Sequence, residues 1–182
     1  MEERTEVILV DVDDRAIGTG EKLETHRKGL LHRAFSVFIT DGNPDLSQCK
    51  MLLQRRAEGK YHSGGLWTNA CCSHPRPDRT LTESVHDRMK LEMGFDCPVT
   101  EQFSFVYRTR FSDDLYEYEY DHVFLGTYPE DGPMAPDPEE ASACRWVALP
   151  ELKEELVSHP DRFTSWFLIA APHVLHILEG EG

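Results

Sequence analysis

Between positions 116 and 121 the chain reads Tyr-Glu-Tyr-Glu-Tyr-Asp, a strict alternation. Successive side chains of a strand point to opposite faces, so a period of two puts Glu117, Glu119 and Asp121 on one face and Tyr116, Tyr118 and Tyr120 on the other. Whatever fold this chain adopts must house a sheet face with three carboxylates in a row. A solvated face is the ordinary home for such a row, and a bound cation is the other.

The rest of the sequence supplies a setting for that strand. Residues 5–10 have strand composition and end in an acidic turn at 11–14, after which Gly18 and Gly20 loosen the chain. A second strand is expected over 34–40, and Asp41-Gly42-Asn43-Pro44-Asp45 signals a hairpin into a strand over 50–56, the opening of a meander. Thr80 followed by Glu83 forms a capping box, and Leu81, Val85, Met89 and Met93 recur every fourth residue until Gly94, which predicts a helix of about three turns. Residues 103–110 make a strand before the alternating one, with a turn at Ser112-Asp113-Asp114. An acidic, proline-rich surface loop over 129–140 precedes a short strand at 145–148. Pro150 opens a helix to about Val157, and a last helix over 163–178 is interrupted near Pro172. No internal repeat or linker divides the sequence. The expectation is one domain over residues 1–182 of the α/β (α+β) class, a mixed sheet flanked by helices.

Charge narrows the possible partners. Thirty-three acidic against nineteen basic residues leave a net charge of −14, which disfavours nucleic acid or an anionic membrane surface as the main partner. A small anionic substrate stays open, because a local cluster of cations outweighs a distant global charge. No run approaches the roughly 18 apolar residues of a membrane span, and Met1-Glu2-Glu3-Arg4 lacks the pattern of a signal peptide, so a cytoplasmic location is expected. Five cysteines without a CxxC pair point to reduced thiols.

Three groups of residues could carry chemistry. His26, His32 and His74, with the same-face pair Glu117 and Glu119, offer nitrogen and oxygen donors suited to a six-coordinate divalent ion such as Mn2+, Mg2+ or Zn2+. Lys22, Arg55, Arg56, Lys60 and Arg88 form a basic set fit for a phosphate or diphosphate, and Glu92 could hold a Mg2+ that bridges to it. Trp67, Tyr107 and Trp166 are aromatic, and a dry pocket lined by them would favour a cation. Between these groups lies Trp67-Thr68-Asn69-Ala70-Cys71-Cys72-Ser73-His74-Pro75, with two thiols and an imidazole at a strand end. Each group also has a plain structural account: chance histidines, surface ion pairs, core aromatics and buried cysteines.

Taken in chain order, these pieces resemble type I isopentenyl-diphosphate isomerase, the metal-dependent kind that uses no flavin. The likeness spans nearly the whole sequence: Glu21-Lys22-Leu23-Glu24-Thr25-His26, Leu31-His32-Arg33-Ala34-Phe35-Ser36, Gln54-Arg55-Arg56-Ala57, residues 67–75, Arg88 with Leu91-Glu92-Met93-Gly94, Tyr107-Arg108 and Tyr116-Glu117-Tyr118-Glu119. The resemblance implies a Nudix-like α/β/α sandwich that interconverts isopentenyl and dimethylallyl diphosphate in isoprenoid biosynthesis. It implies that His26, His32, His74, Glu117 and Glu119 bind one divalent ion. Glu92 and the Cys72 carbonyl would take a Mg2+ that enters with the diphosphate. Lys22, Arg56, Lys60 and Arg88 would hold the phosphates, Cys72 and Glu119 with Tyr107 would move the protons, and Trp166 would face the cation. Cys72 is preferred to Cys71 because the family's cysteine stands two residues before the histidine of His-Pro.

One departure separates the chain from the hydrolases of that fold. Their box, Gly-x5-Glu-x7-Arg-Glu-x2-Glu-Glu-x-Gly, aligned on Gly94 keeps Glu92 but places Arg79, Asp87, Arg88 and Leu91 where Glu, Arg, Glu and Glu belong. A diphosphate hydrolase and a non-catalytic metal-binding module of the same fold are the alternatives at this point.

Overall fold

Strand β3 (His32–Thr40) is the spine of the molecule. In the computed structural model, which describes residues 6–180, it lies between β6 (Cys71–Ser73), antiparallel on one side, and β8 (Leu115–Thr127), parallel on the other. The pairing with β8 runs the full nine residues of β3, from His32 opposite Glu119 to Thr40 opposite Thr127. β7 (Val99–Ser112) then joins the outer side of β8 as a long hairpin that puts Tyr107 opposite Glu119. His32, Glu119 and Tyr107 therefore form one row across three neighbouring strands.

The expected meander is corrected here. β4 (Lys50–Arg56) meets β3 only at Thr40 opposite Met51, then turns away to pair along its length with β9 (Ala141–Ala148) and briefly with β5 (Trp67–Thr68). Beyond that point β6, opposite Phe35, Ser36 and Val37, occupies the edge of β3 along which β4 would have continued, and β8 fills the other edge. At the other end β1 (Glu6–Val10) touches β3 at Leu9 opposite His32, and β2 (Ala16–Glu21) pairs with β1. The Gly18 and Gly20 stretch is therefore an exposed edge strand and not a loosened segment. Gly20 is needed there, because a Cβ would sit 2.5 Å from Thr25 Oγ1. Thr5, expected to open the first strand, lies outside the described residues.

Alternation along β3 and β4 divides the core into two layers. Phe35, Val37, Ile39 and Leu52 pack with Cys71, Val85, Met89 and Met93 beneath α2 (Leu81–Met93). Phe38, Met51 and Leu53 pack on the opposite face with Phe167, Ala170, Ala171 and Val174 of α4 (Ser165–Leu178) and Leu152 of α3 (Leu149–Ser158). A sheet covered on both faces by helices is an α/β/α sandwich.

α2 carries both halves of the capping box, and Gly94 closes it at φ 71° with the Ala135 backbone 2.7 Å from where a Cβ would be. α4 runs unbroken through Pro172, contrary to expectation. Pro172 is exposed, so the carbonyl it leaves unbonded can turn to solvent, while buried Ala170, Ala171 and Val174 hold the turn in place. Among the described residues no helix is long and apolar enough to cross a membrane.

Candidate active site

Short helix α1 (Lys22–Lys28) begins the site. Glu21 caps it by accepting from the backbone N–H groups of Leu23 and Glu24, and Gly29 at φ 61° ends it. Within it the ring of His26 reaches back one turn, and its Nδ1 donates to the Lys22 carbonyl at 2.5 Å. His32, at the start of β3, does the same to the Leu30 carbonyl at 2.9 Å. A carbonyl can only accept, so each of these rings carries a proton on Nδ1, which leaves Nε2 as the inward-facing ligand atom of the neutral imidazole.

The two Nε2 lone pairs face carboxylates. His26 Nε2 is 3.0 Å from Glu117 Oε1, and His32 Nε2 is 3.4 Å from Glu119 Oε1 and 3.2 Å from His74 Nε2. His74 Nε2 stands 2.9 Å from the same Glu119 oxygen. One ligating atom from each of His26, His32, His74, Glu117 and Glu119 lies within 4.8 Å of every other. Buried lone pairs and carboxylate oxygens aimed at one point repel one another unless a cation sits between them, and three imidazoles with two carboxylates are a donor set a divalent ion takes. The residues present fit such an ion.

The electrostatics agree with that reading. Burial, then the nearby His26, holds His32 down to about 4, so its ring is neutral and available. His74 is held well below its ordinary value by burial and then by His32. Burial and the adjacent Glu117 push Glu119 well above the carboxylate range. Glu117 goes the other way: burial would raise it, but hydrogen bonds, that from Glu119 first and that from His62 with it, hold it well below the ordinary carboxylate range. Asp121, third in the row, accepts from Ser36 Oγ at 2.8 Å and is pushed up to about 7 by burial, while its Oδ1 is buried without a partner.

A recess enclosing about 60 Å³ opens beside this cluster, lined among others by Cys72, Tyr107, Glu119 and Trp166. Tyr107 donates its hydroxyl to Glu119 Oε2 at 2.7 Å, and burial followed by the Glu119 charge keeps that phenol protonated. Cys72 lies opposite Ser36 in the β3–β6 register; burial pushes its thiol up and the charge of Arg56 opposes this. Cys71 faces the other way, fully buried in the α2 layer, as strand alternation predicts. Trp166 already receives a cation: the Arg56 guanidinium lies 5.2 Å from its ring centroid.

Basic residues occupy the other wall. Lys22, Arg56, Lys60 and Arg88 all line the recess, with Glu92 and Glu140 among them. Arg88 pairs with Glu92 one turn along α2, Lys60 pairs with Glu140, and Arg88 lies 3.6 Å from Glu140. Glu92 is buried, and burial raises its pKa against the pull of Arg88. Arg55 is not part of this wall. It projects to the opposite side, where Nε donates to the Gly65 carbonyl and the guanidinium meets Glu58. Trp67 is also absent from the recess, its ring covered by Arg145 at 4.7 Å.

Three contacts were not legible in the sequence. His62 Nε2 is 2.7 Å from Glu117 Oε2, Tyr61 Oη is 3.2 Å from His26 Nε2, and the Glu140 carboxylate stands among the phosphate-type cations. Residues 61 and 62 sit in a polar loop without periodicity, and Glu140 ends what reads as a surface loop. The histidine count alone hinted at His62.

The hydrolase box positions lie partly on the wrong side for catalysis. Arg79 and Asp87 face each other at 4.0 Å on the surface and Leu91 is exposed, while Arg88 and Glu92 turn inward.

Comparison with known proteins identifies the fold and the family. The NUDIX domain pattern matches residues 30–167. A Burkholderia multivorans protein named isopentenyl-diphosphate Delta-isomerase is 50% identical over 167 residues, 92% of this chain and 90% of that one. A Serratia proteamaculans protein of the same name is 45% identical, covering 89% of this chain and 87% of the relative. Among solved structures, a MutT protein from Methanosarcina mazei superimposes with a TM-score of 0.59 at 16% identity, over 83% of this chain and 94% of that one. A protein from Deinococcus radiodurans reaches 0.65 at 14% identity, over 85% and 90%. Those two likenesses speak for the fold, and the sequence relatives for the family. With a NUDIX domain over most of its length and relatives of that name at up to half identity, this chain belongs to the isopentenyl-diphosphate Delta-isomerase family.

Proposed function

We propose that this chain converts isopentenyl diphosphate to dimethylallyl diphosphate by moving a proton onto the terminal alkene carbon and removing another from C2. The observation that carries the reading is one recess lined by two proton-bearing groups, Cys72 and the Tyr107-bonded Glu119, an aromatic face, Trp166, and four cations. Protonating an unactivated alkene gives a tertiary carbocation, which calls for a positioned acid, a base across the allylic unit, and exclusion of water.

Each requirement has a candidate in this chain. Glu119 and Cys72 are both held protonated by burial, so either can serve as acid while the other, once ionised, serves as base. The charge of an ionised Glu119 raises the Cys72 thiol further, so the two titrations are linked directly. Trp166 already binds a guanidinium and would offer a π face to the carbocation, worth about 2 kcal/mol or more when dry. Lys22, Arg56, Lys60 and Arg88 would grip the diphosphate.

Divalent metal chemistry is at home in this fold, and His26, His32, His74, Glu117 and Glu119 would hold one ion, as Mn2+, Mg2+ or Zn2+. When bound, it would supply positive charge beside Glu119, while a Mg2+ held by Glu92 and the Cys72 carbonyl would offset the charge of the phosphates. No flavin is required, since a 1,3-proton shift leaves the oxidation state unchanged. The substrate partner is a small diphosphate, and a single domain over residues 1–182 in the cytoplasm is the setting we propose.

Paired cysteine variants test the reading. Cys72→Ala should abolish turnover of isopentenyl diphosphate, whereas Cys71→Ala should largely preserve it at some cost in stability. Equal losses in both would remove Cys72 from the proton-transfer role.

A further inference from the structure

The loop joining β4 to β5 carries His62, which belongs to neither the five-donor cluster nor the set of cations. It is nevertheless among the most tightly held side chains in the site. Its Nε2 meets Glu117 Oε2 at 2.7 Å, and its Nδ1 is 3.1 Å from Ser63 Oγ. At 2.7 Å one of the two atoms must donate, and against a carboxylate oxygen the donor is the His62 Nε2–H. The ring lies flat on Phe111, with centroids 4.3 Å apart and planes 8° from parallel. Tyr61 and Trp166 meet it edge-on at 4.5 and 5.9 Å, and its own carbonyl accepts from Arg56 at 3.3 Å. Ser63, next in the chain, has φ 54°, a left-handed conformation that a non-glycine residue adopts at a cost. The backbone bears strain where it turns His62 inward.

We infer that His62 is a positioning residue for the metal centre, fixing the Glu117 carboxylate through its Nε2–H. Glu117 Oε1 points to His26, and Oε2 meets His62. Without that donor a buried carboxylate oxygen would lose its partner, and the carboxylate would be free to rotate away from the other four ligands. The flat stack on Phe111 and the edge contacts stop the imidazole from turning, so the direction of the N–H is set by packing. Because the same ring abuts Trp166, the metal centre and the aromatic wall share one rigid element.

The inference rests on the reading of the five-donor cluster as a divalent-ion site, and Mn2+ titration followed by EPR tests both. His62→Phe keeps a flat ring against Phe111 but has no N–H; His62→Gln keeps an N–H near the Nε2 position but loses the ring. The expected result is Mn2+ affinity about 10- to 100-fold weaker in His62→Phe, restored to within about threefold of wild type in His62→Gln. Turnover in His62→Phe should fall in kcat with KM nearly unchanged, since the four cations are untouched. His62→Leu replaces His62→Phe in the comparison if the latter does not fold. Wild-type affinity in the variant without an N–H, or equal weakening in both variants, would overturn the role of His62 while the metal reading stands on a His74→Ala control that loses binding. A wild-type protein that takes up no Mn2+ would overturn both.

Discussion

Tyr107→Phe removes one oxygen atom and, with it, the donor that meets Glu119 Oε2 at 2.7 Å. Both residues are buried, so water does not readily replace the lost hydroxyl. In the resting site Glu119 is held protonated by burial and by Glu117, which makes its bond to Tyr107 one between neutral groups. Once Glu119 gives up its proton to substrate the acceptor becomes an anion, and a hydrogen bond to a charged group is worth about 1.5–3 kcal/mol against about 1 for a neutral one. The difference is present in the transition state and absent from the ground state, so it falls on kcat. The difference of about 0.5–2 kcal/mol corresponds to a loss of about 2- to 30-fold in kcat, with KM for isopentenyl diphosphate changed less than about twofold. The hydroxyl also lowers the pKa of Glu119, so its removal should move any pH–rate limb due to that group to higher pH. Initial rates of dimethylallyl diphosphate formation across pH, with thermal unfolding as a check on the fold, measure both effects. An unchanged kcat with a raised KM would refute the placement of this bond in the proton-transfer step.

Other perturbations have equally definite outcomes. For metal-free protein, His32 is held at about 4 against an ordinary value of 6.5. The unfolded chain therefore binds that proton first: stability is full above pH 6.5, falls as pH drops toward 4 and then levels off, by about 3 kcal/mol from this group. Denaturant melts across that range check it, and a flat profile would contradict the burial argument. Glu140→Gln should lower KM for the diphosphate by about 3- to 10-fold, since it removes a carboxylate competing for Lys60 and Arg88; a raised KM would mean that Glu140 aligns those cations instead. Gly94→Ala should cost about 1–3 kcal/mol of stability, because φ is 71° and the Ala135 backbone occupies the Cβ position.

What the sequence reveals and conceals follows from the range of each signal. The Tyr116–Asp121 alternation and the capping box at Thr80 and Glu83 depend on neighbours within a turn or a strand, and both are found as expected. The pairing of β3 with β8 is parallel and leaves no turn between them to read, which is why a meander looked sufficient. α1 is too short and too polar to show periodicity, though it supplies both Lys22 and His26. The thirteen residues that the resemblance assigned to the site come together in space, yet knowing which ones to choose depended on a family pattern and not on spacing. Tyr61, His62 and Glu140 escaped because their contacts are made across the fold from loops with no pattern of their own.

The central claim is that one recess moves protons across an allylic diphosphate and leaves the phosphates intact. Incubating the purified protein with isopentenyl diphosphate and divalent metal in deuterated water, and following carbon-bound deuterium and free phosphate together, tests it most directly. Deuterium-labelled dimethylallyl diphosphate with no phosphate released is the expected result; phosphate release without any dimethylallyl product would refute the isomerase reading.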